Sequence, residues 1–431
     1  MRTLRCGSSD FSSRLAAFCQ GVVPSRRMQE AVAGILADVR LHGDAAIVRQ
    51  AARIDGARLT AGHFRVKRTE LVRAARQLAK RDRAAILLAR ANVLAYSRRA
   101  VPVGWMGRNL QGAEVGEKYD PLRRVGINIP GGQVPLVSTV IMTVTLAQLA
   151  AVPEIAVFTP CDREGRVSDG LLAVLHLCGV TEVYRVGGVY GVGAMAYGTR
   201  TIRAVDKIFG PSNAWVCEAM RQVFGAVGVA GLPGPSELMV IADGSARPDY
   251  AAADLLAQAE HGSGQEKIYL VATSRRVLEA IAGEIRAQVG KLARAAVIRR
   301  VLARGFLAIE VRTPGQAAAV ANAVAPEHLE LLVAGRLIRR LCREITTAGA
   351  IMIGNDTPTA LGDFTAGPSH VLPTGGSGRF SSGLRVADFL RRTSLVRYRR
   401  GSLRRAAPVV AAFAAMERLD AHGRSMEIRI G

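Results

Sequence analysis

Cysteine is sparse and dispersed in this chain. Cys6, Cys19, Cys161, Cys178, Cys217 and Cys342 form no C-x-x-C pair, which excludes zinc-knuckle and thioredoxin-type motifs and fits a reducing cytoplasm. Aromatic residues make up only 5% of the chain and no long basic run occurs, although the net charge is +23. That charge is carried almost wholly by arginine, spread in pairs such as Arg98-Arg99, Arg299-Arg300, Arg339-Arg340 and Arg404-Arg405. Without clustering or interleaved aromatics these read as solvated helix faces, and a nucleic-acid partner is disfavoured. Met1 to Gln20 lacks the unbroken apolar stretch of a secretory peptide. The longest apolar segment, Val134 to Phe158, is interrupted by Gln148, Pro153 and Glu154. It predicts a buried helix followed by a buried strand, not a membrane span.

What is present is an apolar content of 49% over 431 residues, more than one core usually holds, so two large units with smaller appendages are expected. Residues 26 to 100 read as amphipathic helices: Met28 to Leu41, Ala45 to Ile54, and Thr69 to Arg98, the last long enough to contain a break. From Gly126 to Ile241 short β-branched runs (Ile155-Phe158, Glu182-Val186, Lys207-Phe209, Leu238-Ile241) alternate with helical stretches, the pattern of a parallel sheet flanked by helices. A second such region has strands at Lys267-Ala272, Ala308-Val311 and Ala350-Ile353 between helices at 251–260, 275–290 and 314–323. The tail from Asp388 predicts helices and a final strand, Met426 to Ile430, too little to bury a core alone and suited to docking on a partner subunit.

Four of the seven histidines, His261, His328, His370 and His422, lie in the C-terminal part, each near a carboxylate or an amide. Imidazole is the commonest metal ligand and general base near neutral pH, so this concentration points to a metal-assisted catalytic site. Gln258 and His261 stand three apart on an expected helix, a spacing that lets two side chains share one ion. In Pro326-Glu327-His328 the proline is expected at the first position of a helix, with an adjacent acid and imidazole able to divide two proton transfers. Asp363 and His370 fall in a Gly-, Thr- and Pro-rich stretch, Gly354 to Gly378, of the kind that forms active-site loops. Gly191-Val-Gly193-Ala-Met-Ala196 resembles a dinucleotide loop, but no acid follows about twenty residues on, Asp206 being too near. Gly210-Pro-Ser-Asn213 and Gly234-Pro-Ser236-Glu237 add tight turns next to strands, where ligands of open α/β sheets collect.

Together Arg124-Val-Gly-Ile-Asn-Ile-Pro-Gly-Gly132, Val205-Asp-Lys-Ile-Phe-Gly-Pro-Ser-Asn213, Gly234-Pro-Ser-Glu237, Gln258-Ala-Glu-His261, Pro326-Glu-His328, Gly362-Asp363, Gly367-Pro-Ser-His370 and Glu417 with His422 resemble the histidinol dehydrogenase family, from about residue 26 to the C-terminus. The resemblance implies an α/β fold of two incomplete Rossmann-like domains with small N- and C-terminal appendages, the C-terminal segment domain-swapped in a dimer. The implied boundaries are an arm at 1–25, a catalytic domain of 26–127 plus 238–385, an NAD-side domain of 128–237, and a dimerisation segment of 386–431.

The same resemblance implies zinc held by Gln258, His261, Asp363 and His422, the last contributed by the other subunit. It makes His328 the base for alcohol oxidation and Glu327 the activator of water, and it places Ser236, His370 and Glu417 against the substrate, L-histidinol. The cofactor would be NAD, contacted by Asn128, Tyr190 and Asn213. Here Asn128 and Tyr190 stand where the family often has Tyr and Gln, and Ser212 replaces a usual Gly. Those departures leave a related dehydrogenase of another polar alcohol as an alternative, and the charge alone motivates a polyanion-binding protein.

Overall fold

A computed structural model describes residues 2–20, 24–131 and 136–431; parts of the expected arm and of the Val134 to Phe158 run lie outside them. Two parallel sheets organise the chain. The first has five strands in the order Glu182–Tyr184, Glu154–Phe158, Arg124–Asn128, Lys207–Phe209, Gly228–Val229. Chain direction reverses its lateral progress at Arg124–Asn128, which puts a topological switch point beside that strand, where α/β folds open a ligand crevice.

Both faces of this sheet are covered. On one, Val125, Ile127 and Val157 meet the helices Arg68–Gln77, Lys80–Ser97, Val137–Leu149 and Asp169–Leu177. On the other, Ala156, Phe158 and Ile208 meet Arg26–Ile54, Gly188–Tyr197 and Ala214–Val223. The helix Arg68–Gln77 buries Leu71, Ala74 and Ala75, one stripe at helical spacing. Gly43, at φ 52°, kinks Arg26–Ile54 between the two predicted helices, and the expected break in the next helical stretch falls at Leu78 and Ala79. The apolar faces of 26–97 thus share their cores with the five-stranded sheet, a different grouping from the one that joined 26–127 to 238–385.

The second sheet has six strands in the order Arg2–Arg5, Phe306–Glu310, Lys267–Ala272, Glu237–Ala242, His328–Leu332, Ala350–Ile353, all parallel. Within the expected arm, Arg2–Arg5 is an edge strand of this sheet. Helices Pro248–Ala259, Arg275–Val289 and Ala295–Gly305 cover one face, and Phe11–Cys19, Pro314–Val324 and Gly335–Glu344 the other. Starts are set locally: Ser274 and Thr313 accept from backbone N–H groups three residues on, and Pro248 and Pro314 fill first-turn positions whose N–H would be unpaired anyway.

A third, antiparallel sheet joins Trp105–Arg108, Glu114–Pro121 and Leu390–Arg397. Phe389 stacks on Phe209 at 3.9 Å, and Lys207 Nζ donates to the Asp388 carbonyl at 2.9 Å, docking the tail on the first sheet. Beyond it lie helices Arg400–Glu417 and Asp420–Ile430. The strand expected at Met426 to Ile430 is part of that last helix. A five-residue alternation forms a strand only where a sheet edge accepts it, and here the segment follows Asp420 in a helical first turn. Val409, Phe413, Met416, Ile428 and Ile430 are exposed on this pair of helices. Among the described residues no helix is long and apolar enough to cross a membrane.

Candidate active site

Glu327 and His328 do not begin a helix. Ala325 adopts a left-handed conformation (φ 51°) that closes Pro314–Val324. The backbone of Gly349 and Ala350 then donates to the carbonyls of Pro326 and Glu327 at 2.9 Å, and His328–Leu332 runs as a buried central strand between Glu237–Ala242 and Ala350–Ile353. Pairing on both sides satisfies the backbone of this apolar stretch more completely than a helix start at the surface would. The acid and the imidazole thereby stand at the amino end of the sheet.

His328 is 3% exposed, so its surroundings decide its charge. Its Nδ1 lies 3.5 Å from Glu327 Oε2 and 3.3 Å from the Glu237 carbonyl, and its Nε2 lies 3.6 Å from Asp363 Oδ1. Burial opposes the imidazolium, but the carboxylates of Glu327 and Asp363 outweigh it and push the pKa up to about 10. Burial also works against the Asp363 carboxylate, yet His328, His370 and His261 hold its pKa below the ordinary value. Glu327 is anchored because its Oε2 accepts the Glu237 backbone N–H at 2.8 Å. Burial, with Glu327 next to it, pushes the Glu237 carboxyl up to about 8.

Around this centre the chain brings most of the expected residues together. Ser236 Oγ and His261 Nδ1 are 3.1 Å apart. His370 Nδ1 is 3.0 Å from the Asp363 carbonyl, and its Nε2 is 3.2 Å from Thr139 Oγ1. Burial depresses the His370 pKa and favours its neutral form. Gln258 is buried in the last turn of Pro248–Ala259, a helix that contacts Thr359–Phe364, which carries Asp363. His261 lies past the end of that helix, beyond its cap at Glu260, so the pair is not on one helical face as expected. Gln258 Nε2, His328 Nε2 and Glu237 Oε2 are buried without hydrogen-bond partners, the mark of a polar site built for something more than itself.

Gln258, His261 and Asp363 supply amide, imidazole and carboxylate donors, a set without thiolate that suits zinc or a harder divalent ion. Among the described residues no three His, Cys, Asp or Glu side chains stand close enough to hold an ion. Glu417 and His422 do not join the cluster within the single chain. They lie at the end of Arg400–Glu417 and in Asp420–Ile430, helices that pack on each other.

At the carboxyl ends of the five-stranded sheet lies a cleft of about 840 Å³, lined by Asn128, Gly131, Thr159, Gly188, Ser212 and Asn213 among others. Gly210 permits its closed geometry: at φ +112°, a Cβ there would sit 2.1 Å from the Asn128 carbonyl oxygen. Asn128 Nδ2 donates to the Pro211 carbonyl at 2.9 Å, and Asn213 Oδ1 caps Ala214–Val223 by accepting from Trp215 and Val216 N–H. Tyr190, in contrast, is fully buried and does not line the cleft; its hydroxyl donates to Asp55, which does. The G-x-G-x-x-A segment, running from Gly191, is likewise inside a buried helix.

Two participants were not picked out beforehand. Thr139 lies on a helix of the first unit and meets His370 only in three dimensions. Glu237 stood in a recognised turn, but the signal for its role, a carboxylate opening an apolar strand run, acquires meaning only once Glu327 is its neighbour.

A histidinol dehydrogenase family model matches residues 21–430. The chain is 39% identical over 431 residues to histidinol dehydrogenase of Syntrophotalea carbinolica, covering 100% of this chain and 99% of that protein. It is 40% identical over 406 residues to that of Geobacillus kaustophilus, covering 94% and 95%. The crystal structure of histidinol dehydrogenase from Elizabethkingia anophelis superposes with a TM-score of 0.93 at 30% identity, covering 100% of this chain and 98% of that one. With a family model matching nearly the whole chain, near-complete mutual coverage and a shared fold, this chain belongs to the histidinol dehydrogenase family.

Proposed function

We propose that the chain catalyses the zinc-dependent, NAD-linked four-electron oxidation of L-histidinol through L-histidinal to L-histidine, the last step of histidine biosynthesis, as a cytoplasmic homodimer with shared sites. The observation that carries this reading is a buried imidazole with a carboxylate at each ring nitrogen, Glu327 at Nδ1 and Asp363 at Nε2 of His328. The two flanking carboxylates favour the protonated ring, so His328 acts as a base in the fraction that has lost its proton, and the charge it regains from the alcohol is balanced on both sides. His328 takes the alcohol proton in the first oxidation and a proton again in the second. Glu327, fixed by the Glu237 N–H, activates the water that adds to the aldehyde. His370, held by Thr139, and Ser236 line the substrate, and Glu417 of a second subunit pairs with its ammonium group.

Gln258, His261 and Asp363, with His422 of a second subunit, would hold the zinc, which when bound orients the substrate's nitrogens and polarises its oxygen. The exposed apolar side chains of the two terminal helices support 386–431 as the dimerisation segment. NAD, when bound in the cleft, is the two-electron acceptor of each oxidation. Asn128 and Asn213 face that cleft and the latter caps a helix whose N-terminus suits a pyrophosphate. Tyr190 supports the cleft through Asp55.

The test is direct. Purified protein given L-histidinol and NAD should form about two NADH per L-histidine, and a chelator should stop the reaction until zinc is restored. Absence of NADH formation rejects the reading, and full activity after chelation rejects the zinc.

A further inference from the structure

One cluster near the active site has no part in the chemistry above. Glu330 follows His328 by two residues on the same strand, so both side chains project from the same face of the sheet. It is fully buried. Its Oε1 accepts from both the backbone N–H and the hydroxyl of Thr359, at 2.8 and 2.6 Å, where the helix carrying Asp363 begins. Its Oε2 has no conventional donor. Within hydrogen-bonding reach stands a second carboxyl, Asp254, one turn before Gln258 on Pro248–Ala259.

We infer that Asp254 and Glu330 are a buried carboxyl pair sharing one proton, a positioning device that clamps together the three elements bearing Gln258, His328 and Asp363. The inference rests on the function proposed above. Two carboxylates this close in a buried setting cannot both ionise. Glu330 is the one that keeps the proton: both donors reach its Oε1, leaving Oε2 as the O–H that donates to Asp254. Burial and Asp254 push the Glu330 pKa up, and burial raises that of Asp254, so a proton is retained between them. The strand is thereby tied to Thr359 on one side and to the helix of Gln258 on the other. Neither acid touches the substrate, so their action is through the residues they hold.

Glu330→Gln imitates the protonated acid, since its amide can still accept from Thr359 and donate to Asp254. Asp254→Leu removes one side of the clamp, and Thr359→Val removes the hydroxyl bond of the other, leaving its backbone bond, while keeping the shape of the side chain. The full-length variants are titrated with Zn2+ in competition with a chromophoric chelator, their turnover of L-histidinol is measured, and infrared spectra are recorded against wild type. We expect zinc affinity and kcat within about 3-fold of wild type for Glu330→Gln, and a loss of about 10–100-fold in zinc affinity for Asp254→Leu, the range for residues that support metal ligands. Thr359→Val should weaken affinity in the same direction, and the wild type minus Glu330→Gln spectrum should show the C=O stretch of a protonated carboxylic acid. Wild-type affinity in both Asp254→Leu and Thr359→Val overturns the inference, as does a Glu330→Gln variant no better than Asp254→Leu. Failure of the wild-type protein to bind zinc or oxidise L-histidinol is a different result, and overturns the proposed function.

Discussion

Glu327→Gln separates the two oxidations. The substitution keeps the geometry, because the amide oxygen can still accept the Glu237 N–H now held at 2.8 Å. Exchanging a charged acceptor for a neutral one costs about 1 kcal/mol, the difference between typical hydrogen bonds to charged and neutral groups. Relief of repulsion with the buried Glu237 carboxyl offsets part of this. Folding should therefore survive. The chemistry should not, because an amide cannot take a proton from water, and general-base catalysis is worth about 10²–10⁴-fold, or about 3–5 kcal/mol of barrier. That loss belongs to the step in which water adds to the aldehyde, whereas the alcohol proton goes to His328. The assay supplies L-histidinol or L-histidinal with NAD and follows NADH and L-histidine separately, with a carbonyl trap to collect aldehyde. The expected result is oxidation of L-histidinal slowed at least about 10²-fold and a smaller effect on the first turnover of L-histidinol. Equal losses in both steps would refute the assignment of water activation to Glu327.

His422→Ala should weaken zinc binding and His328→Ala should abolish turnover with zinc retained; mixing the two inactive variants should recover activity if subunits exchange sites, and no recovery after verified subunit exchange would exclude a shared site. Arg124 is buried between Glu182 and Glu154 at 2.5 and 2.7 Å, and Glu154 also pairs with Arg203, so Arg124→Met should destabilise the first unit by about 3 kcal/mol, chiefly by leaving Glu182 without its cation. Burial works against charge on Glu182, but Arg124 outweighs it and lowers its pKa. The stabilisation is thus complete above the ordinary carboxylate range and is lost as pH falls through the lowered folded value. Melting temperatures of wild type and variant should converge in acid, and a constant gap would show that the pairing is not the cause.

Much of the architecture could be read from the sequence. Lys267–Ala272 and Ala350–Ile353 are strands where expected, and Lys207–Phe209 also. Short β-branched runs bounded by turns carry their own period, and parallel pairing asks nothing more of them. The readings that failed are those in which local pattern was outbid. Pro326-Glu-His could start a helix, and became a strand entry because two neighbours supplied a ladder. Met426 to Ile430 could form a strand, and had no edge to join. Tyr190 was expected against a nucleotide, and turned instead into the core toward Asp55.

The residue types and order of the motifs by themselves determined the family and the candidates for chemistry: Gln258, His261, Glu327, His328, Asp363 and His370 are all there to be seen, because proton transfer and ligation require particular functional groups whatever the fold. Only the tertiary structure decided that Glu327 and Asp363 flank opposite nitrogens of one buried imidazole, and that Thr139 and Glu237 complete their surroundings. Apart from Glu327 and His328, which are neighbours in sequence, those contacts join residues remote in the chain, and their electrostatic effect depends on distance and on exclusion of water, which a linear sequence does not encode at any single position.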